Sequence, residues 1–106
     1  MEAVFKKFKP AFVINFAAET HVDRSVHGYA DEFVDSNIYG VFNLLETIKK
    51  FGGKKAVFIS TDEVYGSLLL GSKTKFTEKT QYKPRSPYSA SKAAGDLLPF
   101  RAHPRE

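Results

Sequence analysis

Residues 31–60, DEFVDSNIYGVFNLLETIKKFGGKKAVFIS, decide the fold. Apolar residues recur at helical spacing through the first two thirds of this stretch, at Val34, Ile38, Val41, Phe42, Leu45 and Ile48. The predicted helix covers residues 31–51, and Gly52-Gly53 ends it in the usual C-terminal manner. The run that follows, Ala56 to Ser60, has the apolar character of a buried parallel strand.

A second apolar run, Phe12 to Phe16, precedes this helix and predicts another buried strand. Strand, helix and strand in succession form a βαβ unit, whose default is two parallel strands joined by a right-handed crossover. Gly40 lies inside the predicted helix, where glycine costs about 1 kcal/mol relative to alanine, so we expect close packing on the sheet there. A short helix over residues 1–9 is ended by Pro10. The predicted fold class is α/β, with residues 1–106 forming a single domain.

The composition is that of a globular protein, with 106 residues of which 42% are apolar and 26% charged. There is no cysteine, which excludes disulfides and thiolate metal sites and agrees with a reducing compartment. We predict no metal centre.

The net charge is +4, with a local cluster of lysines at positions 49, 50, 54 and 55. Two of these lie in the last turn of the predicted helix, where cations suit the helix dipole, and no aromatic stacking pattern accompanies them. We therefore interpret them as a solvated surface and predict no nucleic-acid partner. No apolar run reaches the length of a membrane span and no secretory segment is evident, so we expect a soluble, cytoplasmic protein without membrane contact.

Polar residues follow the second predicted strand directly, in the segment Ser60-Thr61-Asp62-Glu63. Open α/β sheets bind ligands at the carboxyl ends of their strands, so hydroxyls and carboxylates at this point indicate a chemical site. The alternative is that the two acids only cap a loop.

A last helix is predicted to begin at Pro87, a residue that suits the first helical turn, with Ser86 as its cap. Tyr88 and Lys92 are four residues apart on it and therefore share one face. A nearby positive charge favours phenolate and lowers a tyrosine pKa towards the range of a general base. The alternative is a surface helix with an incidental tyrosine and lysine.

Two further segments are less informative. Residues 67–85 form a long polar loop, which in a compact domain is usually functional or disordered. Pro99 is expected to end the last helix at about Leu98, and residues 100–106 carry no element signal.

Three motifs together carry a family resemblance: VINFAAETHVDRS at 13–25, STDEVYG at 60–66 and SPYSASK at 86–92. In order and spacing they resemble the central third of the dTDP-glucose 4,6-dehydratases, over residues 1–98. That family belongs to the extended short-chain dehydrogenase/reductases, so the resemblance implies a Rossmann-type fold and NAD as cofactor.

The resemblance also implies a role for each candidate catalytic residue. Tyr88 would take the proton of the sugar C4 hydroxyl, with Lys92 on the nicotinamide ribose and Thr61 near the same hydroxyl. Glu63 would remove the C5 proton and Asp62 would protonate the departing C6 hydroxyl. Such a reaction needs one ionised and one protonated carboxyl group, which two acids in different environments can supply.

Binding residues follow from the same resemblance. Those implied for NAD are Phe16, Ala17, Ala18, Glu19, Thr20, Ser36, Ser60, Tyr88 and Lys92. Those implied for the substrate, dTDP-glucose, are Thr20, Thr61, Asp62 and Glu63. Related nucleotide-sugar 4-epimerases share the tyrosine and lysine but usually have small or hydroxylic residues in place of the two acids, so the acids favour a dehydratase and leave the epimerase as an alternative.

Parts of the family pattern are absent from the sequence. It contains no Gly-x-x-Gly-x-x-Gly turn for the pyrophosphate, no later strands and no C-terminal substrate domain. We therefore expect a partial Rossmann-type fold, a truncated form with little or no activity alone. The second hypothesis is a non-catalytic α/β module that acts as an oligomer or complements a partner chain. Unpaired strand edges predict a homo-oligomer in either case.

Overall fold

The computed structural model describes residues 1–53 and 55–102. The elements follow one another as α1 (Glu2–Phe8), β1 (Phe12–Asn15), α2 (Val22–Val26), α3 (Ala30–Val34), a π-helical turn (Asp35–Tyr39), α4 (Gly40–Lys50), β2 (Lys55–Phe58), a 3₁₀ turn (Asp62–Tyr65) and α5 (Pro87–Ala102). Within these ranges, no helix has both the length and the apolar character needed to cross a membrane.

The two strands pair in parallel, with Val13 opposite Ala56 and Ile14 opposite Val57. This confirms the predicted strand–helix–strand unit and the α/β class. Both strands end slightly earlier than predicted: β1 ends at Asn15, and β2 ends at Phe58 although the Ile59 N–H still donates to the Asn15 carbonyl at 3.1 Å.

The apolar core lies on one face of this strand pair. Phe5 from α1 packs there with Leu44 and Ile48 from α4, all three buried. Partly buried apolar residues surround them, namely Val13, Phe51, Ala56 and Phe58. The apolar face predicted for residues 31–51 is only partly confirmed. Val41 and Ile48 are buried, whereas Val34 and Phe42 are exposed, and Phe33 and Leu44 are buried although the predicted pattern omitted them. Lys49 and Lys50 are exposed as expected, while Lys54 lies outside the described residues.

The close packing expected at Gly40 is not found there. A Cβ atom on Gly40 would meet only the Asp35 carbonyl, at an ordinary 3.5 Å. The close approach occurs instead at Gly95 of α5, where a Cβ would lie 2.5 Å from the Asn37 carbonyl. The tight contact is therefore between two helical segments, because α5 crosses the π-helical turn with no side chain between the backbones.

The end predicted for the last helix is also wrong. α5 continues past Pro99 to Ala102. Proline fixes φ near the helical value, so the helix can continue at the loss of one hydrogen bond, here the one to the Gly95 carbonyl. Residues 100–102, expected to carry no element, are thus helical, and residues 103–106 lie outside the described residues. The long loop is as predicted, since residues 67–85 contain no helix or strand.

Candidate active site

The segments after β1 and β2 leave the sheet at the same edge, the one formed by the carboxyl ends of the two strands, because the strands are parallel and paired in register. Residues 16–20 and 59–63 therefore lie side by side. This is the edge at which an open α/β sheet binds its ligands, and it brings two of the three predicted motifs together.

The two acids occupy the first turn of the 3₁₀ turn that begins at Asp62. Asp62 and Glu63 are both exposed. The capping group is the Thr61 hydroxyl, whose Oγ1 accepts a hydrogen bond from the Glu63 N–H at 3.3 Å. A cavity of about 230 Å³ lies beside Glu63 and is lined also by Arg85 and Ser86. Because Thr61 supplies the cap, the carboxylates remain directed to solvent.

The helix that carries Tyr88 begins as predicted, with the Ser86 Oγ accepting a hydrogen bond from the Ser89 N–H at 3.0 Å. Tyr88 is buried, with 8% of its surface exposed. Its ring meets that of Phe33 edge-on, with 6.2 Å between the centroids. This packing fixes the orientation of the tyrosine through an aromatic neighbour on α3.

Lys92 joins the same helix to the end of β2. Its Nζ donates a hydrogen bond to the Ile59 carbonyl at 2.6 Å. Burial lowers the pKa of the Lys92 ammonium, and the nearby carboxylate of Asp96 acts in the opposite direction. An ammonium carries three N–H donors, so two remain for other partners. The effect of Lys92 on the Tyr88 phenol stays a prediction.

The loop after β1 presents an exposed surface. Phe16 has 73% of its surface exposed, and Ala17 and Thr20 are also exposed. The loop is held by Asn15, whose Oδ1 accepts a hydrogen bond from the Ala17 N–H at 3.1 Å. Ala18 is half-buried.

Glu19 uses its carboxylate within this loop. Its Oε1 accepts hydrogen bonds from the Thr20 N–H at 3.1 Å and the His21 N–H at 3.2 Å. Its Oε2 lies 3.5 Å from Arg24, which also pairs with Glu32 at 2.5 Å. These contacts give the Glu19 side chain a role in loop structure, and its implied contact with a cofactor stays a prediction.

Asn37 is a central polar residue that the motif reasoning missed. It is 2% exposed, and it exchanges two hydrogen bonds with Glu19: its Oδ1 accepts from the backbone N–H at 3.0 Å, and its Nδ2 donates to the carbonyl at 2.9 Å. The same Nδ2 donates to Ser91 Oγ at 2.9 Å, and Ser91 in turn donates to the Tyr88 carbonyl at 2.7 Å. Asn37 thus links the loop after β1 to α5, which carries Tyr88 and is called the tyrosine helix below.

One signal in the sequence could have identified Asn37. It lies one turn from both Val34 and Val41, so an amide stands on the apolar side of the predicted helix. Buried amides of this kind are hydrogen-bonded. Its neighbour Ser36, implied for the cofactor, is exposed on the same π-helical turn, and its contact with a cofactor stays a prediction.

The chemistry at this edge fits one end of NAD. Exposed hydroxyls of Thr20 and Ser60, the Lys92 ammonium and the open Phe16 ring suit a ribose and an aromatic ring. The glycine-rich turn that would bind the pyrophosphate is not among them, since no Gly-x-x-Gly-x-x-Gly occurs in these 106 residues. The residues present would hold the nicotinamide-ribose end of the cofactor.

Comparison with known proteins agrees with this arrangement. The family model described as GDP-mannose 4,6 dehydratase matches residues 1–103. The dTDP-glucose 4,6-dehydratase of Haemophilus influenzae is 50% identical in an alignment of 107 positions, which covers 92% of this chain and 31% of the relative. A probable dTDP-glucose 4,6-dehydratase of Sinorhizobium fredii is 50% identical in an alignment of 101 positions, which covers 87% of this chain and 28% of the relative.

Solved structures give the same result. The dTDP-glucose 4,6-dehydratase of Bacillus anthracis in complex with NAD superposes with a TM-score of 0.79 at 42% identity, covering 95% of this chain and 29% of that one. A UDP-glucose 4-epimerase of Thermus thermophilus in complex with NAD has a TM-score of 0.83 at 34% identity, covering 94% and 32%. The chain thus spans under a third of the length of these relatives. The fold is part of the Rossmann type, and the chain belongs to the GDP-mannose 4,6 dehydratase family.

Proposed function

We propose that this chain supplies the proton-transfer residues of a nucleotide-sugar 4,6-dehydratase site, with dTDP-glucose as substrate. The observation that carries the proposal is the bond from Lys92 Nζ to the Ile59 carbonyl at 2.6 Å. It fastens the tyrosine helix to the strand end that bears Asp62 and Glu63, although the two lie far apart in sequence. The dTDP-glucose 4,6-dehydratases among the relatives support the choice of substrate.

Each side chain then has a defined role. Tyr88 takes the proton of the C4 hydroxyl, and Lys92 stabilises the phenolate and binds the ribose of the cofactor. Glu63 takes the proton from C5 once C4 is a ketone, and Asp62 gives a proton to the C6 hydroxyl as it leaves as water. Bound NAD supplies the hydride exchange at C4 and C6. Exposure of both acids leaves them accessible to a sugar.

Calorimetric titration of NAD into the purified chain tests the proposal, with Lys92→Ala and the exposed loop variant Lys79→Ala as a matched pair. We expect Lys92→Ala to weaken binding by about tenfold or more, since a charge-assisted hydrogen bond is lost, and Lys79→Ala to bind as the parent does. Absence of binding to the parent at millimolar NAD would refute cofactor use by this chain alone.

Turnover of dTDP-glucose is the second step of the same test. A dehydratase converts the sugar CH₂OH into a methyl group, which gives a new high-field proton NMR signal. Any such signal from the parent chain, which is expected to have little or no activity alone, should be abolished by Asp62→Asn and by Glu63→Gln while NAD binding persists, because neither acid is assigned to the cofactor.

A 4-epimerase is the second candidate within this fold. Two of the solved epimerases match at TM-scores of 0.83 and 0.84, and two of the dehydratases match at 0.79 and 0.80, so the fold does not discriminate between the two activities. The acids at 62 and 63 favour the dehydratase. A product that keeps its C6 hydroxyl but inverts C4 would identify an epimerase.

A non-catalytic oligomer is the remaining candidate, and the open face of the strand pair favours it. Five apolar side chains there are at least 41% exposed, namely Phe12, Ile14, Phe16, Val57 and Ile59. Parallel strands are normally covered on both faces, so such a surface promotes association, and we propose a homo-oligomer or a partner chain that covers it. Gel filtration with light scattering tests this, and a stable monomer at high concentration would contradict it. A cytoplasmic location stays a prediction.

A further inference from the structure

The tyrosine helix is fastened to the end of β2 at two points, one helical turn apart. Lys92 donates to the Ile59 carbonyl at 2.6 Å. Asp96, four residues further along α5, accepts a hydrogen bond at its Oδ2 from the Ser60 hydroxyl. Residues four apart share a helix face, and residues 59 and 60 are consecutive, so the two bonds act on the same short segment.

Asp96 has a third partner in the loop that precedes α5. The Tyr82 hydroxyl donates to the same Oδ2 at 3.2 Å. The Tyr82 ring meets the Tyr65 ring edge-on, with centroids 5.3 Å apart, and Tyr65 ends the 3₁₀ turn that bears the two acids. The adjacent Lys83 N–H donates to the Val64 carbonyl at 2.8 Å, which ties the loop to the same turn.

We propose that Asp96 is a positioning residue, whose carboxylate holds the 3₁₀ turn Asp62–Tyr65, which bears the two acids, in place relative to Tyr88 and Lys92. It does so from two sides, through Ser60 before the turn and Tyr82 beside it. Hydrogen bonds to an ionised carboxylate are stronger than neutral ones, which suits a joint at an exposed edge. The consequence for catalysis rests on the proposed function, whereas the positional role does not.

The bond to Asp96 limits the hydrogen bonds that Ser60 can make to a ligand. A hydroxyl has one O–H donor, and Ser60 gives it to Asp96, so its oxygen can only accept a hydrogen bond from a ligand. Ser60 was implied for the cofactor by resemblance. Any such contact would use a donor on the cofactor.

The Asp96 carboxylate also affects a measurable property of Tyr82, the pKa of its phenol. Burial, followed by the negative charge of Asp96, raises the pKa of Tyr82 to about 12. The other titratable groups near this cluster are Tyr65, which acts in the same direction on Tyr82, and Lys92, which faces Asp96 from the same helix. Removing the carboxylate should therefore lower the Tyr82 pKa.

The experiment compares Asp96→Asn with Asp31→Asn, a matched change at an exposed carboxylate on α3. Carbon-13 labelled tyrosine, with Tyr82→Phe to assign the signal, follows the titration of Tyr82 by NMR. We expect the Tyr82 pKa to fall in Asp96→Asn and to stay unchanged in Asp31→Asn. An unchanged pKa in Asp96→Asn would overturn the contact.

Amide hydrogen exchange measures the positional role without cofactor or substrate. The Gly66 N–H, bonded to the Glu63 carbonyl at 3.1 Å, and the Lys83 N–H report on the turn. We expect both to exchange about fivefold to tenfold faster in Asp96→Asn than in Asp31→Asn, since a charge-assisted bond is replaced by a weaker neutral one.

Ser60→Ala keeps the test decisive if Asp96→Asn does not fold. It removes one exposed hydroxyl and leaves the carboxylate in place. Faster exchange at Gly66 in this variant supports the proposal, and parental exchange overturns it. Failure of NAD to bind would leave these results untouched and bear only on the proposed function.

Discussion

The crossing of α5 over the π-helical turn and the open face of the strand pair differ in the kind of side chain that each one buries or exposes. At the crossing, polar side chains are buried and hydrogen-bonded, with Asn37 2% and Ser91 4% exposed. On the open face, apolar side chains lie in solvent, with Phe12 50% and Ile14 54% exposed. The chain therefore builds the framework of its site internally, whereas one face of its strand pair is left exposed. A partner that covers this face stays a prediction.

Replacing Asn37 by alanine should have the largest effect on this contrast. The change leaves the Glu19 N–H and carbonyl without their partner and removes the bond to Ser91. Unsatisfied buried groups cost about 1–3 kcal/mol each, so we expect a loss of about 3 kcal/mol or more in the free energy of unfolding. Urea denaturation measures it, with Asn43→Ala at an exposed position of α4 as control. A loss below about 1 kcal/mol would mean that the crossing is not held by Asn37.

The two helical glycines sharpen the same point. Gly95→Ala places a Cβ 2.5 Å from the Asn37 carbonyl, and overpacking of this kind costs about 1–3 kcal/mol. Gly40→Ala meets only an ordinary contact, so the higher helix propensity of alanine should stabilise the protein by up to about 1 kcal/mol. Opposite shifts in the urea midpoint are the expected result. Equal shifts would show that the crossing tolerates a side chain.

These glycines also show what the sequence could and could not establish. A glycine within a helical pattern is visible, but the side of the helix that meets a neighbour depends on how the helices cross, and so the close contact was assigned to Gly40 and is found at Gly95. That Tyr88 and Lys92 share one helix face was predictable, because they are four residues apart on a single helix.

Asn37 and Asp96 could not be assigned a role from the sequence, because their contacts are not local. Their partners lie far away in sequence: Asn37 bonds residues 18 and 54 positions away, and Asp96 bonds residues 36 and 14 positions away. Spacing alone carries no signal for such pairs. The sheet edge was predictable from two apolar runs, whereas the polar bonds that fasten the tyrosine helix to it required coordinates.

Two valines on the paired strands compare the faces of the sheet directly. Val13 packs on the covered face, and Val57, 43% exposed, lies on the open one. Val13→Ala should lower the free energy of unfolding by about 1–2 kcal/mol, and Val57→Ala by less than about 0.5 kcal/mol at low protein concentration. If a second copy covers the open face, the cost of Val57→Ala will grow with protein concentration, which urea titrations at two concentrations detect. A cost for Val57→Ala equal to that of Val13→Ala at every concentration would contradict the difference between the faces.

The smallest expected effect concerns the ion pair that fastens α1 to the covered face. Lys50 Nζ lies 2.8 Å from Glu2 Oε1, and Phe5 of the same short helix enters the core. The hydrogen bond from Lys50 lowers the pKa of Glu2 from its ordinary value of 4.5. Because the folded pKa is below the unfolded one, the stabilisation is present above pH 4.5 and is lost as the pH falls through the folded value. The urea midpoint of the parent should therefore fall more steeply on acidification than that of Lys50→Met, whereas Lys49→Met should follow the parent. Parallel curves for all three would show that the exposed pair contributes nothing to holding α1 on the core.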